Sequence, residues 1–322
     1  MVVLVLGGSG ELGQNVVRVA IARGLECVAT YTSSEPYDNL IAPLVTWYRF
    51  NLVDGTIAGV RKKFQALVEK SDITCVINCS VCKHDANQEP KVVEEFVVDR
   101  TVNIIGAVCA EHKIRLLQLS TDLVFDGKTG NYSEEANPTP VMWYGECKAK
   151  MEKGLLQLEQ LSTCILRTSL LLTVEPSLKE LLGRNRKRSK CAHFCVSRAL
   201  DGQSTGTPAG FFTDEIRSVT FSEDLANALV DLGAVDRQAF NSDCCGILNA
   251  VASRSLSRLE LAEVVLNYYS SQFDGPKPVL SGVLSRDLFQ GSRPLDCTLD
   301  TSRYESLRAK YSLCRLRWCG DL

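Results

Sequence analysis

The sequence predicts an α/β protein: a doubly wound parallel sheet with a smaller lobe toward its C-terminal end. Three observations carry that expectation. Apolar strand-like runs recur at Val2–Leu6, Cys27–Tyr31, Val45–Tyr48, Cys75–Asn78, Leu116–Leu119 and Cys164–Leu166, with helical patterns between most of them, notably Ile57–Lys70 and Val92–His112. The runs are continuous rather than alternating, as expected of strands covered on both faces. The first run ends in three glycines spaced three apart, Gly7, Gly10 and Gly13, and a helical pattern follows. Alternating β and α segments imply right-handed crossovers, with ligands bound beyond the carboxyl ends of the strands.

Taken in order, the first segment is "VVLVLGGSGELGQNVVRVAIARG". Leu12, Val16 and Ala20 recur every four residues and Gly24 stops the pattern, so it reads as strand, glycine turn, amphipathic helix and C-cap. A pyrophosphate can lie against backbone N–H groups at a helix N-terminus only where no Cβ blocks its approach. The glycines therefore predict a dinucleotide-binding (Rossmann) turn. The second strand, "ECVATY", ends in hydroxyls, Thr30, Thr32, Ser33 and Ser34, with Glu35 only after them. An acidic residue at that point would select NAD by accepting the ribose 2′-hydroxyl. A hydroxyl-rich turn does not repel a 2′-phosphate, so NADP(H) is favoured with NAD as the alternative, although no arginine is visible in the sequence to hold that phosphate.

Regularity weakens between Leu172 and Arg217. "GRNRKRSK", residues 183–190, holds five basic residues in eight, and "DGQSTGTPAG", residues 201–210, is rich in turn formers. Both read as solvated loops; a phosphate-facing loop and a nuclear localisation signal are the alternatives for the basic run. "SVTFSEDLANALVDL" then returns a strand and a helix, "GILNAV" gives another strand, and Pro276, Pro278 and Pro294 interrupt the remainder. The expected division is a dinucleotide-binding domain of residues 1–171 and 218–250, and a substrate lobe of 172–217 and 251–322.

Composition is that of an ordinary globular chain: 45% hydrophobic, 23% charged, net charge -2 over 322 residues. Nothing in that balance points to nucleic acid or a membrane surface as a partner. No apolar run approaches the roughly 20 residues that span a bilayer. The opening apolar run lacks a basic flank and reads as a buried strand rather than a signal peptide, so a cytoplasmic location with reduced cysteines is expected. The 14 cysteines include the pairs Cys79/Cys82 and Cys191/Cys195, and the adjacent Cys244 and Cys245, but only three histidines are present to complete a zinc site. No metal is expected.

The fifth strand runs into "LQLSTDLVFDG", with Ser120 and Thr121 at its end, and "MWYGECKAKME" follows some twenty residues later. Residues four apart share a helix face, so Tyr144 and Lys148 can address one nicotinamide ribose. Carbonyl reduction requires a proton donor to the developing alkoxide, and free tyrosine, with a pKa of about 10, holds its proton too tightly to work in both directions. An ammonium about 5 Å away, at an effective dielectric of about 20, stabilises the phenolate by roughly 3 kcal/mol, or about two pKa units. The Thr121 hydroxyl would hold the carbonyl oxygen in line with the phenol.

"GGSGELGQ", "STDLVFDG", "YGECKAKME", "ILRTSLL" and "RPLDCTLDTSRYESL" together resemble the dTDP-4-dehydrorhamnose reductase family of extended short-chain dehydrogenases, from residue 4 to about 307. The regulatory beta subunit of methionine adenosyltransferase, which keeps the fold and binds NADP, shares the pattern. The resemblance implies Thr121, Tyr144 and Lys148 as the catalytic three. It implies Gly7, Ser9, Gly10, Glu11 and Leu12 as the pyrophosphate turn, Asn51 and Leu52 beside the adenine, Cys79 and Ser80 beside the riboses, and Asn103 behind the lysine. The chain departs from the family at Asn51, commonly Asp, in "RTSLLLT", which lacks an aromatic after Ser169, and in "CSVCKHDANQEP". Two functions follow from the resemblance: an NADP(H)-dependent 4-keto nucleotide-sugar reductase, or a non-catalytic NADP-binding subunit whose partner is a methionine adenosyltransferase catalytic subunit. A reductase of another small carbonyl compound is a third reading, and a homodimer is the expected self-association.

Overall fold

A computed structural model describes residues 1–33, 42–81, 90–183 and 190–321. Strands β1 (Val2–Leu6), β2 (Glu26–Tyr31), β3 (Thr46–Arg49), β4 (Cys75–Asn78), β5 (Arg115–Thr121) and β6 (Thr163–Thr168) form the main sheet. Short strands β7 (Leu171–Leu172), β8 (Ala209–Phe212), β9 (Ile216–Arg217) and β10 (Thr220–Phe221) precede its seventh member, β11 (Gly246–Asn249). The order is β11-β6-β5-β4-β1-β2-β3 and every neighbour pair is parallel. Strand order reverses between β1 and β4, which opens a crevice at their carboxyl ends, where ligands of such sheets bind.

Helices α1 (Glu11–Ala22) and α2 (Ile57–Lys70) follow β1 and β3. After β4 comes one continuous helix: α3 (Pro90–Glu94), a π-bonded stretch Glu95–Gly106, and α4 (Ala107–Glu111). Then follow α5 (Trp143–Leu156), α6 (Leu178–Leu182), α7 (Lys190–Thr205), α8 (Ser222–Ala234) and α9 (Arg237–Ala239). The C-terminal part holds β12 (Leu256–Ser257), α10 (Arg258–Tyr268), β13 (Leu280–Val283), α11 (Ser285–Phe289) and α12 (Ser302–Tyr311).

Local chemistry sets several boundaries. The Thr56 hydroxyl accepts the Gly59 N–H and starts α2, while Ser257 and Glu260 form a capping box at the start of α10. Helices α1, α8 and α12 cover one face of the sheet, burying Val16, Leu229 and Tyr304; α2, the π-bonded helix and α5 cover the other, burying Phe64, Ile104 and Met151. Fully burying a side chain such as Phe64 stabilises the fold by about 1.5–3 kcal/mol. A third cluster, with Val196, Phe211 and Val265, lies among α7, β8 and α10.

The structure differs from the sequence reading in two places. Asp201–Thr205 are the last turns of α7 rather than a loop, because Ala192, Val196 and Ala199 anchor the preceding turns in that third cluster. Leu307, Leu313 and Leu316, grouped by sequence with the smaller lobe, pack into the sheet cluster beside α1 and α8. Asn103, expected behind Lys148, is an exposed residue of the π-bonded helix. Ile104 and Ile105 take the buried positions, and Gly106 faces α5, where an added Cβ would press on Leu155 and Leu158. Of the basic run, residues 184–189 lie outside the described part of the chain, as do Ser34, Glu35 and Cys82.

Candidate active site

Three glycines build the turn after β1 for different reasons. Gly7 has φ +71, and a Cβ there would come 2.9 Å from the Ser80 Cα and 3.0 Å from the Cys79 carbonyl, so the turn is pressed against the end of β4. A Cβ on Gly13 would overlap the Gly7 carbonyl, which locks α1 onto the turn. These two are required by packing. Gly10 is not: it is exposed, has φ -78 at the N-cap of α1, and a Cβ would meet only the Gly7 carbonyl at 3.2 Å. Its missing side chain leaves the start of α1 open, where the N–H groups of Glu11, Leu12 and Gly13 have no intrahelical acceptors. A dinucleotide pyrophosphate fits that opening. Ser9 supports the turn through its carbonyl, which accepts from Gln14 Nε2 at 2.8 Å.

Glu11 reaches away from the turn, and its Oε1 accepts a hydrogen bond from Thr173 Oγ1 at 2.9 Å. Thr173 follows β7, so this contact crosses the carboxyl edge of the sheet, over β4 and β5. Burial pushes the Glu11 carboxyl up to about 7, opposed by the Thr173 hydrogen bond and the Lys190 charge, with Glu175 adding slightly to the rise.

At the other end of the crevice the hydroxyls are not all free to face a ribose. Thr30 is buried and its Oγ1 accepts the Gly7 N–H at 3.0 Å, so this hydroxyl serves the glycine turn. Sequence reading missed Arg49. The β2–β3 register sets it opposite Tyr31, exposed, with Nε donating to the Thr32 carbonyl at 3.3 Å. Only strand pairing brings this cation to the end of β2. Asn51 lies just beyond β3 and ties its own turn, donating to Asp54 Oδ1 at 2.8 Å and accepting from the Val53 N–H. Leu52 is buried, and its carbonyl accepts from Arg100, which also donates to the Gly55 carbonyl and Glu95. Arg100, likewise missed, clamps this loop to the π-bonded helix.

Cys79 is buried, and burial pushes its thiol up to about 12, so it acts as a small apolar contact. Ser80 donates its N–H to Asn78 Oδ1 at 3.1 Å, and Asn78 Nδ2 donates in turn to Gln118 Oε1 at 2.8 Å. These bonds fix the ends of β4 and β5 side by side.

The elements that carry Thr121, Tyr144 and Lys148 meet in a close backbone approach. A Cβ on Gly145 would overlap the Leu123 carbonyl, so the start of α5, where Tyr144 sits, lies directly on the turn after Thr121. Thr121 Oγ1 accepts the Leu123 N–H at 3.2 Å and donates to Asp122 Oδ1 at 3.1 Å. Lys148 Nζ lies 5.8 Å from the centre of the Tyr144 ring and donates to the Leu119 carbonyl at 3.1 Å. Lys148 is buried, and burial lowers its ammonium to about 8 against the opposing Glu152 charge. One turn on from Lys148, buried Glu152 accepts from Ser120 and pairs with Arg167 at 2.8 Å. Ser120 therefore serves this buried network, leaving Thr121 as the hydroxyl at the strand end.

Among the described residues no group of three His, Cys, Asp or Glu side chains could hold a metal ion, and no helix is long and apolar enough to cross a membrane.

Comparison with known proteins agrees with this architecture. The chain is 31% identical over 168 residues to a dTDP-4-keto-6-deoxy-D-glucose reductase of Streptomyces niveus, which covers 52% of this chain and 51% of that protein. It is 23% identical over 235 residues to methionine adenosyltransferase 2 subunit beta of Pongo abelii, covering 72% of this chain and 64% of that protein. The chain thus spans about half to two-thirds of the length of these curated relatives. A solved structure of a hypothetical dTDP-4-dehydrorhamnose reductase from Sulfolobus tokodaii superposes with a TM-score of 0.69 at 22% identity, covering 95% of this chain and 94% of that one. The sheet order, the glycine turn and the Thr121–Tyr144–Lys148 arrangement accompany a family match spanning residues 1–313, and by that match the chain belongs to the RmlD substrate binding domain family.

Proposed function

We propose that this protein is a cytoplasmic, NADP(H)-dependent short-chain reductase that converts a 4-keto nucleotide sugar to its alcohol. The observation that carries the reading is the seating of α5 on the turn after Thr121, which sets a phenol, a buried ammonium and a strand-end hydroxyl at one end of the crevice. Gly7, Ser9, Gly10, Glu11 and Leu12 would hold the pyrophosphate, Asn51 and Leu52 the adenine side, and Cys79 and Ser80 the riboses. Arg49 would meet a 2′-phosphate, which favours NADP over NAD. The nucleotide would occupy residues 1–171 and 218–250, and the sugar the lobe of 172–217 and 251–322 apart from Leu307, Leu313 and Leu316, which pack with the sheet.

A bound nicotinamide supplies the hydrogen and two electrons of the reduction. Tyr144 gives its phenolic proton to the carbonyl oxygen as charge develops there, and Thr121 holds that oxygen in place. Lys148 stabilises the phenolate left behind. A desolvated ammonium does this more strongly than a solvated one, because its field is not screened by water. General acid catalysis contributes about 10²- to 10⁴-fold. Mixing the protein with NADPH and dTDP-4-dehydrorhamnose should therefore deplete absorbance at the nicotinamide band, and Tyr144→Phe should slow this by that order with NADPH affinity unchanged. Failure of the wild type to oxidise NADPH with such sugars would refute the reading.

A second reading has its own observation, the longer match to the methionine adenosyltransferase subunit. It predicts capture of a methionine adenosyltransferase catalytic subunit and no turnover, with Tyr144→Phe leaving that association untouched.

A further inference from the structure

A nicotinamide dinucleotide seated on the glycine turn has one path to the reacting end of the crevice. The turn follows β1, Lys148 is bonded to the Leu119 carbonyl of β5, and β4 lies between those two strands. Cys79 and Ser80, at the end of β4, pack against Gly7 and form the floor of that path. Glu11 spans the same interval. It is the first residue of α1, and its Oε1 accepts a hydrogen bond at 2.9 Å from Thr173 Oγ1, 162 residues away in sequence. Thr173 follows β7, beyond the end of β6. With strands ordered β6-β5-β4-β1, this bond bridges the carboxyl edge that the dinucleotide must cross.

The fold does not need the bridge. On one side β7 is already paired with β10, the Thr220 N–H donates to the Leu170 carbonyl, and Leu172 is fully buried in the third cluster. On the other, Gly13 packs the start of α1 directly onto Gly7. Both ends are anchored without the bond, so what it adds is a closure between them. Burial works against ionisation of this carboxyl, while Lys190, the first residue of α7, supports it through its backbone N–H and its charge, and Glu175 opposes it. A hydrogen bond to the ionised form is stronger than one between neutral groups. Opening the bridge takes only rotation of the Glu11 side chain, with no strand displaced.

We propose that the Glu11–Thr173 hydrogen bond is a latch on the cofactor path, closed in both the empty and the loaded protein, which must open for a nicotinamide dinucleotide to enter or leave. Thr173 is thereby a positioning residue that retains the cofactor through Glu11. Such a latch scales the entry and release rates by one common factor, the fraction of time it stands open, and leaves the equilibrium affinity alone. This inference rests on the cofactor part of the reductase reading and not on which carbonyl is reduced.

Thr173→Val tests it by removing the donor while keeping the size of the side chain. Stopped-flow fluorescence of NADPH binding at pH 8, where a carboxyl at about 7 is mostly ionised, gives both rate constants for wild type, Thr173→Val and Thr173→Ser. Melting temperature checks folding. A hydrogen bond to a charged group contributes about tenfold or more to an equilibrium. Thr173→Val should therefore bind and release NADPH each about tenfold faster, with the dissociation constant unchanged. Thr173→Ser, which keeps the hydroxyl, should behave as wild type.

Unchanged rates in Thr173→Val would overturn the proposal. So would faster release with unchanged association, because that loss of affinity marks a direct contact with the cofactor instead of a latch. If Thr173→Val does not fold, Thr173→Ala takes its place under the same criteria. A wild type that binds neither NADPH nor NADH refutes the cofactor reading, and this inference with it. A wild type that binds NADPH and reduces no keto sugar refutes the reductase reading alone.

Discussion

Replacing Glu11 with Gln isolates one carboxyl at the mouth of the crevice. Glutamine keeps the shape and still accepts from Thr173 Oγ1, but it cannot ionise. Two effects oppose each other at this position. The positive end of α1 favours a carboxylate by about 0.3–1 kcal/mol. Burial disfavours it and wins, bringing the group from 4.5 up to about 7. A folded pKa above the unfolded one means that the folded state binds the extra proton between those values. Stability contributed by Glu11 is therefore fully present below about 4.5 and is lost as pH rises toward 7. The raised pKa corresponds to at most about 3 kcal/mol. Glu11→Gln should match wild type in melting temperature near pH 5 and exceed it at pH 8 by on the order of 5 °C. A pyrophosphate at Gly10 adds repulsion to the ionised carboxylate, so the variant should also bind NADPH about tenfold more tightly at pH 8 and equally at pH 5, since 1.4 kcal/mol of repulsion is already tenfold. Parallel melting curves from pH 5 to 8 would refute the burial reasoning; unequal stability with equal affinity would place the carboxyl too far from the phosphates.

Gly13→Ala should prevent folding, whereas Gly10→Val should keep the wild-type melting temperature within a few degrees and lose NADPH binding; circular dichroism and calorimetry separate the two. Arg49→Ala should weaken NADPH about tenfold, the order of one charge-assisted hydrogen bond, and leave NADH unchanged, as read by nucleotide titration. Lys148→Met should end reduction yet raise the melting temperature at pH 7. Burial lowers the Lys148 ammonium from 10.5 to about 8, so ionisation there costs stability at neutral pH that is recovered as pH rises from about 8 toward 10.5. A melting temperature for Lys148→Met below wild type at pH 7 would show that the ammonium is a net structural asset.

The elements were legible because each was specified by neighbours in sequence. Ile57–Lys70 was read to the residue, since a Thr56 cap and the Val60, Phe64, Leu67 stripe mark it locally. Val2–Leu6 and Cys75–Asn78 were equally clear, because strands covered on both faces leave an uninterrupted apolar run. Helix α7 was hidden by the small and polar residues of its last turns, which only the third cluster fixes in helical form. Thr121, Tyr144 and Lys148 could be singled out because a strand end and an i, i+4 pair are local facts. Their meeting was not local, and Gly145 revealed its purpose only once Leu123 lay against it.

The sequence by itself determined the alternation of strands and helices, the glycine turn and the residue types offered to a nicotinamide cofactor, because these follow from periodicity and from what a missing Cβ permits. Only the tertiary structure decided which hydroxyls were already committed. Thr30 to Gly7, Ser120 to Glu152 and Thr121 to Asp122 are different fates for the same functional group, set by partners 23, 32 and one residue away. It also brought Arg49 to Thr32 and Arg217 to Asp122, pairings set by strand register and by the return of the C-terminal segment. Electrostatic partners act through space, and distance along the chain carries almost no record of them.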